Sequence, residues 1–269
     1  MIKKIKLIIS NFNGENVLVH SDIFHGFMPT NFKSQKELLK EQINFVEEIS
    51  GEKNLVFPTF NYDFLKNRTY SIDNDKSQVG VLSEYFRSQK SIFRTNEPVF
   101  NFSSSKKLKF KRIDFLIDPF DNNSFFNYLY ENDDTILHYG SPFSSTTFLH
   151  YIERKSDLLT YRYDKLFEGK IIDKDSVKDV KFLYHVRPLN VYLVYDNNKI
   201  QNDLISNGIM FKLVDGRTSI MISSIKDMCD FIIERIKIDP YYLLDSQSKK
   251  WVIPKVEQLG RGFKLNDFE

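Results

Sequence analysis

Apolar residues recur along this chain with two periods, and the switches between them mark an alternation of strands and helices. Val17, Leu18 and Val19 in ENVLVH form an unbroken apolar run, as in a strand buried on both faces. SQKELLKEQINFVEEIS then places Leu38, Leu39, Ile43, Val46 and Ile49 on one side of a helix, with a capping-box pattern from Ser34 to Glu37. NLVF reads as a second strand, stopped by Pro58. Strand, helix, strand at this spacing predicts a parallel pair with a right-handed crossover. A helix around Leu82 to Ser88 follows, then weak patterning to Asn132, then a short strand through Ile136, Leu137 and Tyr139 that Gly140 and Pro142 end. After Gly169, KFLYHVRPLNVYLVYD reads as a long strand or hairpin, and a helix runs around Ile225 to Ile238. The expected fold is α/β: a central mixed, largely parallel sheet flanked by helices, with a C-terminal β-rich portion. No repeat or composition shift divides the chain, so residues 1–269 are read as one domain.

Composition removes several function classes. With 269 residues, 41% hydrophobic and 28% charged, the chain can bury a large core and lacks the signature of disorder. The apolar stretch of MIKKIKLIIS is too short for a signal h-region and no small-residue cleavage site follows. No run approaches the ~20 apolar residues of a membrane span, so a cytoplasmic protein without a membrane partner is expected. The single Cys229 cannot form an intramolecular disulfide. It shares helical spacing with Ile225, Met228, Ile232 and Ile236, which predicts a core position and no acyl-cysteine intermediate. No Cys/His cluster has zinc spacing, so no metal is expected. The basic run KKLKFKR (106–112) reads as a solvated strand or loop, and no nucleic-acid partner is expected.

The candidate chemistry lies in GSPFSSTTFLHYIE, residues 140–153. Ser144 or Ser145 is expected to cap a helix on which His150 and Glu153, three residues apart, share a face. A neutral imidazole there can act as a general base, while a His–carboxylate pair at this spacing is also a common structural contact.

Four blocks in order, VLVHSDIFHGF, NLVFPTFNYDF, VGVLSEYFRSQKSIFRTNEP and STTFLHYIE, resemble the aminoglycoside 3-N-acetyltransferase superfamily over about residues 15 to 160. That family has a strand ending in His-Ser, a strand ending in Pro-Thr, a Gly-x-x-x-Glu-x-x-Arg segment leading to an Arg-(Ser/Thr)-x-x-Pro turn, and a Thr-x-x-His-x-x-Glu helix. The resemblance implies acyl transfer from a coenzyme A thioester, acetyl-CoA or a hydroxyacyl-CoA, to an amine on a sugar ring. His150 is then the base and Glu153 its orienting carboxylate, with Glu84 as the alternative acid. Thr147 and Thr146 are candidate donors to the thioester oxygen, Thr146 equally a helix cap. His20 and Ser21, in a turn with Gly26, lie near the cofactor, where Arg94 is expected either to bind a phosphate or to pair with Glu84 or Glu97. Two departures bear on the acceptor: Glu97 stands where antibiotic-modifying members typically carry His, and Asp22 follows the His-Ser pair.

Charge sharpens the acceptor. A polycationic aminoglycoside calls for an acidic cleft, whereas 38 Lys and Arg against 36 Asp and Glu give a net charge of +2. The expected partners are therefore a coenzyme A thioester and a nucleotide-linked amino sugar, a dTDP-3-amino-3,6-dideoxyhexose for bacterial surface polysaccharide (O-antigen or capsule), with a homodimer allowed. The patch Asp114, Asp118, Asp121, Glu131, Asp133, Asp134, read as a solvated face, is what an aminoglycoside would use. Aminoglycoside acetylation is the alternative, and a non-catalytic binding module the second.

Overall fold

The computed structural model describes residues 1–110, 112, 114–174 and 176–268; Lys111 of the basic run lies outside them. The elements follow in the order α1 (Ile2–Ser10), β1 (Asn16–Ser21), α2 (Gln35–Ser50), β2 (Asn54–Pro58), α3 (Phe64–Asn67), β3 (Thr69–Ser71), α4 (Val81–Arg87), β4 (Phe93–Arg94), β5 (Phe102–Ser104), β6 (Leu116–Ile117), α5 (Phe125–Glu131), β7 (Thr135–Tyr139), α6 (Phe148–Ser156), β8 (Tyr163–Asp173), β9 (Ser176–Val186), α7 (Asn197–Ser206), β10 (Met210–Asp215), β11 (Thr218–Ser224), α8 (Ile225–Ile238) and α9 (Ser246–Leu259).

Seven strands form the main sheet in the order β10-β11-β7-β1-β2-β5-β4. The expected β1–α2–β2 unit pairs in parallel, and β7 joins β1 from the other side, also in parallel. The outer pairings, β11 on β7, β10 on β11, β5 on β2 and β4 on β5, are antiparallel. The sheet is thus mixed, with its parallel strands concentrated at the centre. Alternation along those central strands divides the core in two, because successive side chains leave opposite faces. Leu18, Val56 and Ile136 pack with the residues of α5, α6 and α8. Val17, Val19, Leu55, Phe57, Leu137 and Tyr139 pack under α1, α2 and α4. Burial on both faces is why β1 reads as a continuous apolar run. Among the described residues no helix is long and apolar enough to cross a membrane.

Several local expectations change. Ser34 caps α2 by accepting from the Glu37 N–H at 3.2 Å, but the Glu37 carboxylate accepts from Lys33 N, one residue before the cap. KFLYHV is one arm of a hairpin whose other arm is β8, and Pro188 ends it. The remaining residues, 187–196, form an irregular strap bridged once to Leu244 through Tyr195. The β8–β9 hairpin, edged by β3 and β6, makes a second sheet. Helix α6 starts at Phe148 with Thr147 at its N-cap, whereas Ser145 bonds Pro142 O and neither serine caps it.

Cys229 is fully buried on α8 within the larger core, and burial pushes its thiol well above the usual cysteine range. A buried neutral thiol is a poor nucleophile. Cys229→Ala is therefore expected to retain activity, and intact-mass analysis during turnover to show no acylated protein; an acyl adduct on the wild-type chain would refute direct transfer.

Candidate active site

The i,i+3 spacing on α6 brings His150 and Glu153 into contact: Nδ1 lies 3.1 Å from Oε2. The carboxylate is fully buried, while the imidazole keeps 29% of its side-chain exposure. Two residues the sequence did not single out complete the group. Arg162, just before β8, places Nε 2.6 Å from Glu153 Oε2. Tyr195, from the strap, puts its hydroxyl 3.1 Å from His150 Nδ1 and accepts a bond of 2.5 Å from Arg162. Burial alone would raise the Glu153 pKa, but Arg162, then His150, hold it down to about 2. A permanently ionised acceptor at Nδ1 favours the tautomer with the proton on Nδ1 and the lone pair on Nε2. Burial, then the Arg162 charge, lowers the His150 pKa, against the opposing pull of Glu153. The imidazole is therefore neutral near pH 7, and Nε2 has no partner among the described residues. This is the arrangement of an oriented general base.

His150, Arg162, Tyr184, Val186, Arg187, Leu189, Leu193 and Tyr195 line a cavity of about 390 Å³. Its lining holds no carboxylate. Across Tyr195, a second cavity of about 420 Å³ contains Asp196 and Asp245, which already accept from Lys199 N and Ser248 N as helix caps. A larger cavity, about 770 Å³, lies at the N-terminal ends of β1 and β2 among Lys6, Lys53 and Lys106. His150 instead follows the C-terminal end of β7, the end at which open α/β sheets hold ligands.

The remaining predicted residues fall into separate groups. His20 pairs in register with His138, and with both side chains on one sheet face their rings stack at 5.2 Å. Burial lowers His20 to about 4, and its Nε2 is buried without a partner. Thr146 joins this pair, its hydroxyl donating to Phe143 O and lying 3.2 Å from His138 Nε2. Thr147 is half-buried and makes no side-chain cap bond. Ser21 is half-buried near Gly80, at the start of α4. In the turn after β1, the N–H groups of Asp22, Phe24, His25 and Phe27 already bond within the protein. Gly26 is needed there for closeness, since a Cβ would fall 2.5 Å from the Tyr139 ring. Asp22 accepts from Phe24 N, which makes it a turn former.

Arg94 pairs with neither Glu84 nor Glu97. Its guanidinium donates to Asn101 Oδ1 and to the carbonyls of Ile72, Asp75 and Thr59, leaving one N–H for any outside group. Glu84 is held by Arg87 and Ser77 N, a brace for α4. The patch expected to be a solvated acidic face is only partly paired: Arg112, buried at the end of the basic run, is shared among Glu97, Asp114 and Asp121, and Arg154 between Asp118 and Asp164. Burial raises Glu97 to about 7 against the pull of Arg112. His185 bonds Asp164 at 2.9 Å. No cluster among the described residues can hold a metal ion.

Comparison with known proteins identifies the family that carries this parallel-centred sheet with a His–Glu pair beyond its carboxyl end. The model of the aminoglycoside 3-N-acetyltransferase family matches residues 30–237, so the chain belongs to that family, whose members are acyl-CoA-dependent N-acyltransferases. Similar solved structures include the enzyme AAC-IIIb in binary complex with CoASH, at 14% identity and a TM-score of 0.70 over 88% of this chain and 96% of that one. The apoenzyme of aminoglycoside acetyltransferase AAC(3)-IVa gives 16% identity and 0.66 over 91% of each chain. The YokD protein from Bacillus subtilis gives 16% and 0.65 over 89% and 94%. Comparison with curated proteins gives no match.

Proposed function

We propose that the chain transfers an acyl group from coenzyme A to the amine of a nucleotide-linked amino sugar, with a dTDP-3-amino-3,6-dideoxyhexose of surface polysaccharide synthesis as the acceptor. The observation that carries this reading is the cavity around His150, where Arg187 adds a cation and Arg162 balances Glu153. Such a lining favours an anionic acceptor over a polycation. His150 Nε2 removes a proton as the amine nitrogen attacks the thioester carbonyl, and the C–S bond then breaks with the proton passing to the leaving sulfur. Thr147, half-exposed beside the α6 N-terminus, is our candidate donor to the developing oxyanion. His20, Ser21, Arg94 and Thr146 remain candidates for the cofactor side, of which Ser21 and the free N–H of Arg94 are the accessible groups.

Aminoglycoside acetylation is the second reading, favoured by Asp196 and Asp245 in the adjoining cavity. The two separate by thermal shift. A dTDP-linked amino sugar is expected to raise Tm by mass action, with and without CoA, and to release thiol from acyl-CoA, whereas kanamycin- or gentamicin-type compounds do neither. Stabilisation and thiol release confined to the antibiotics would overturn the sugar-nucleotide reading.

A further inference from the structure

We propose that His138 is a positioning residue of the transfer reaction, a neutral imidazole that ties the start of the helix bearing the base to the central sheet. The proposal rests on His150 being the base, as the reading above assigns. His138 lies on β7 and is fully buried. Each of its ring nitrogens meets a hydroxyl: Nδ1 is 3.2 Å from Ser141 Oγ, and Nε2 is 3.2 Å from Thr146 Oγ1. Each hydroxyl also reaches a carbonyl, Ser141 that of His20 at 3.0 Å and Thr146 that of Phe143 at 2.6 Å. A hydroxyl has one proton to give, and a carbonyl can only accept. Were both hydroxyls to keep their carbonyls, both ring nitrogens would have to donate and the ring would be an imidazolium.

The surroundings exclude that charge. Among the described residues no carboxylate bonds to His138, and the ring stacked on it at 5.2 Å is a second imidazole, His20. Burial, then His20, holds the His138 pKa well below the usual histidine range, against the Pro142 carbonyl. The ring therefore stays neutral, and it bridges the two sides of the turn between β7 and α6. The Thr146 side is the one that matters for the reaction. Thr147 at the α6 N-cap makes no side-chain cap bond, so the first turn hangs on backbone carbonyls: Leu149 N bonds Thr146 O, and His150 N bonds Thr147 O. Fixing Thr146 to the His138 ring thus fixes the turn from which the His150 imidazole is aimed.

The first test needs no substrate. Nitrogen–proton correlation spectra of the five histidines in nitrogen-15-labelled protein identify His138 by the signal lost in His138→Gln. That signal is expected to show one protonated and one bare nitrogen from about pH 5 to about pH 8, across the ordinary histidine range. Thr146→Val is expected to shift both His138 Nε2 and the His150 signals. An imidazolium at pH 7, or His150 signals unmoved by Thr146→Val, overturns the proposal. The second test is kinetic, with acetyl-CoA and a dTDP-linked amino sugar. His138→Leu leaves each hydroxyl its own carbonyl, so the variant folds, and kcat is expected to fall roughly tenfold to a hundredfold, the scale of a misplaced reacting group, while KM for acetyl-CoA changes little. His138→Gln, whose amide can meet Thr146 as donor or acceptor, recovers most of the loss, and the shorter His138→Asn does not. Adding Thr146→Val to His138→Leu costs nothing more, because one contact is lost in both. Equal losses in the Gln and Leu variants, or additive losses in the double variant, would reduce His138 to packing and overturn the proposal. Failure of the wild type to acylate amino sugars would count against the proposed acceptor and leave His138 to be judged by the spectra.

Discussion

His150→Asn and His150→Ala are expected to fold normally and to lose roughly 10²–10⁴ in turnover, the range for removal of a general base. The imidazole is partly exposed at a cavity wall, so its loss opens no core void. The protein nevertheless loses an imidazole that lines the cavity and whose Nε2 has no partner among the described residues. An amine that arrives as ammonium cannot attack until a proton leaves, and no other described cavity residue combines neutrality with an ionised partner at its second nitrogen. Turnover at saturating acyl-CoA and acceptor, set beside an unchanged melting temperature, checks this. Normal turnover in either variant would remove His150 from the base role.

The second large effect is on stability. Arg162 and Glu153 keep only 5% and none of their side-chain exposure, so Arg162→Ala leaves an ionised carboxylate buried without its cation. Breaking such a pair from one side costs ~3–5 kcal/mol, and chemical denaturation should show it as a lowered midpoint with an unchanged slope. Removing both charges, as Arg162→Met with Glu153→Gln, is expected to recover most of that loss. The double variant should remain slow, because Gln presents no ionised acceptor to Nδ1. A cost below about 1 kcal/mol for Arg162→Ala, the range of exposed pairs, would mean that the pair is solvated.

The parts of this fold that were legible share a cause. β1 and β2 are buried on both faces and α2 on one, so each leaves a simple apolar signature, and His150 and Glu153 meet within a single helix turn. The illegible parts depend on contacts that leave no such signature. Helix α9 carries Pro254 internally and buries only Ser248 and Val252, so it shows no apolar stripe. Strand β11 lies in the main sheet with Thr218, Ser223 and Ser224 buried, and those polar residues disguise it. Arg162 and Tyr195 come from irregular segments whose only local cue is an Arg between two tyrosines at 161–163 and a terminal Tyr in VYLVY. His138 was hidden for the opposite reason: register alone, which the sequence does not print, sets it on His20.

The strap that brings Tyr195 to the base is tied down late in the chain: Val194 N bonds Ser248 Oγ, Asp245 N bonds Val194 O, and Asp196 N bonds Leu243 O. The helix bearing His150 and Glu153 leaves the ribosome nearly a hundred residues before those anchors do. A nascent chain can thus form its parallel strands and the His–Glu pair while the wall of the cavity is still being synthesised. Closing contacts between residues this far apart in sequence carries an entropic cost, so the wall of the cavity is complete only once residues 243–248 have docked on the strap.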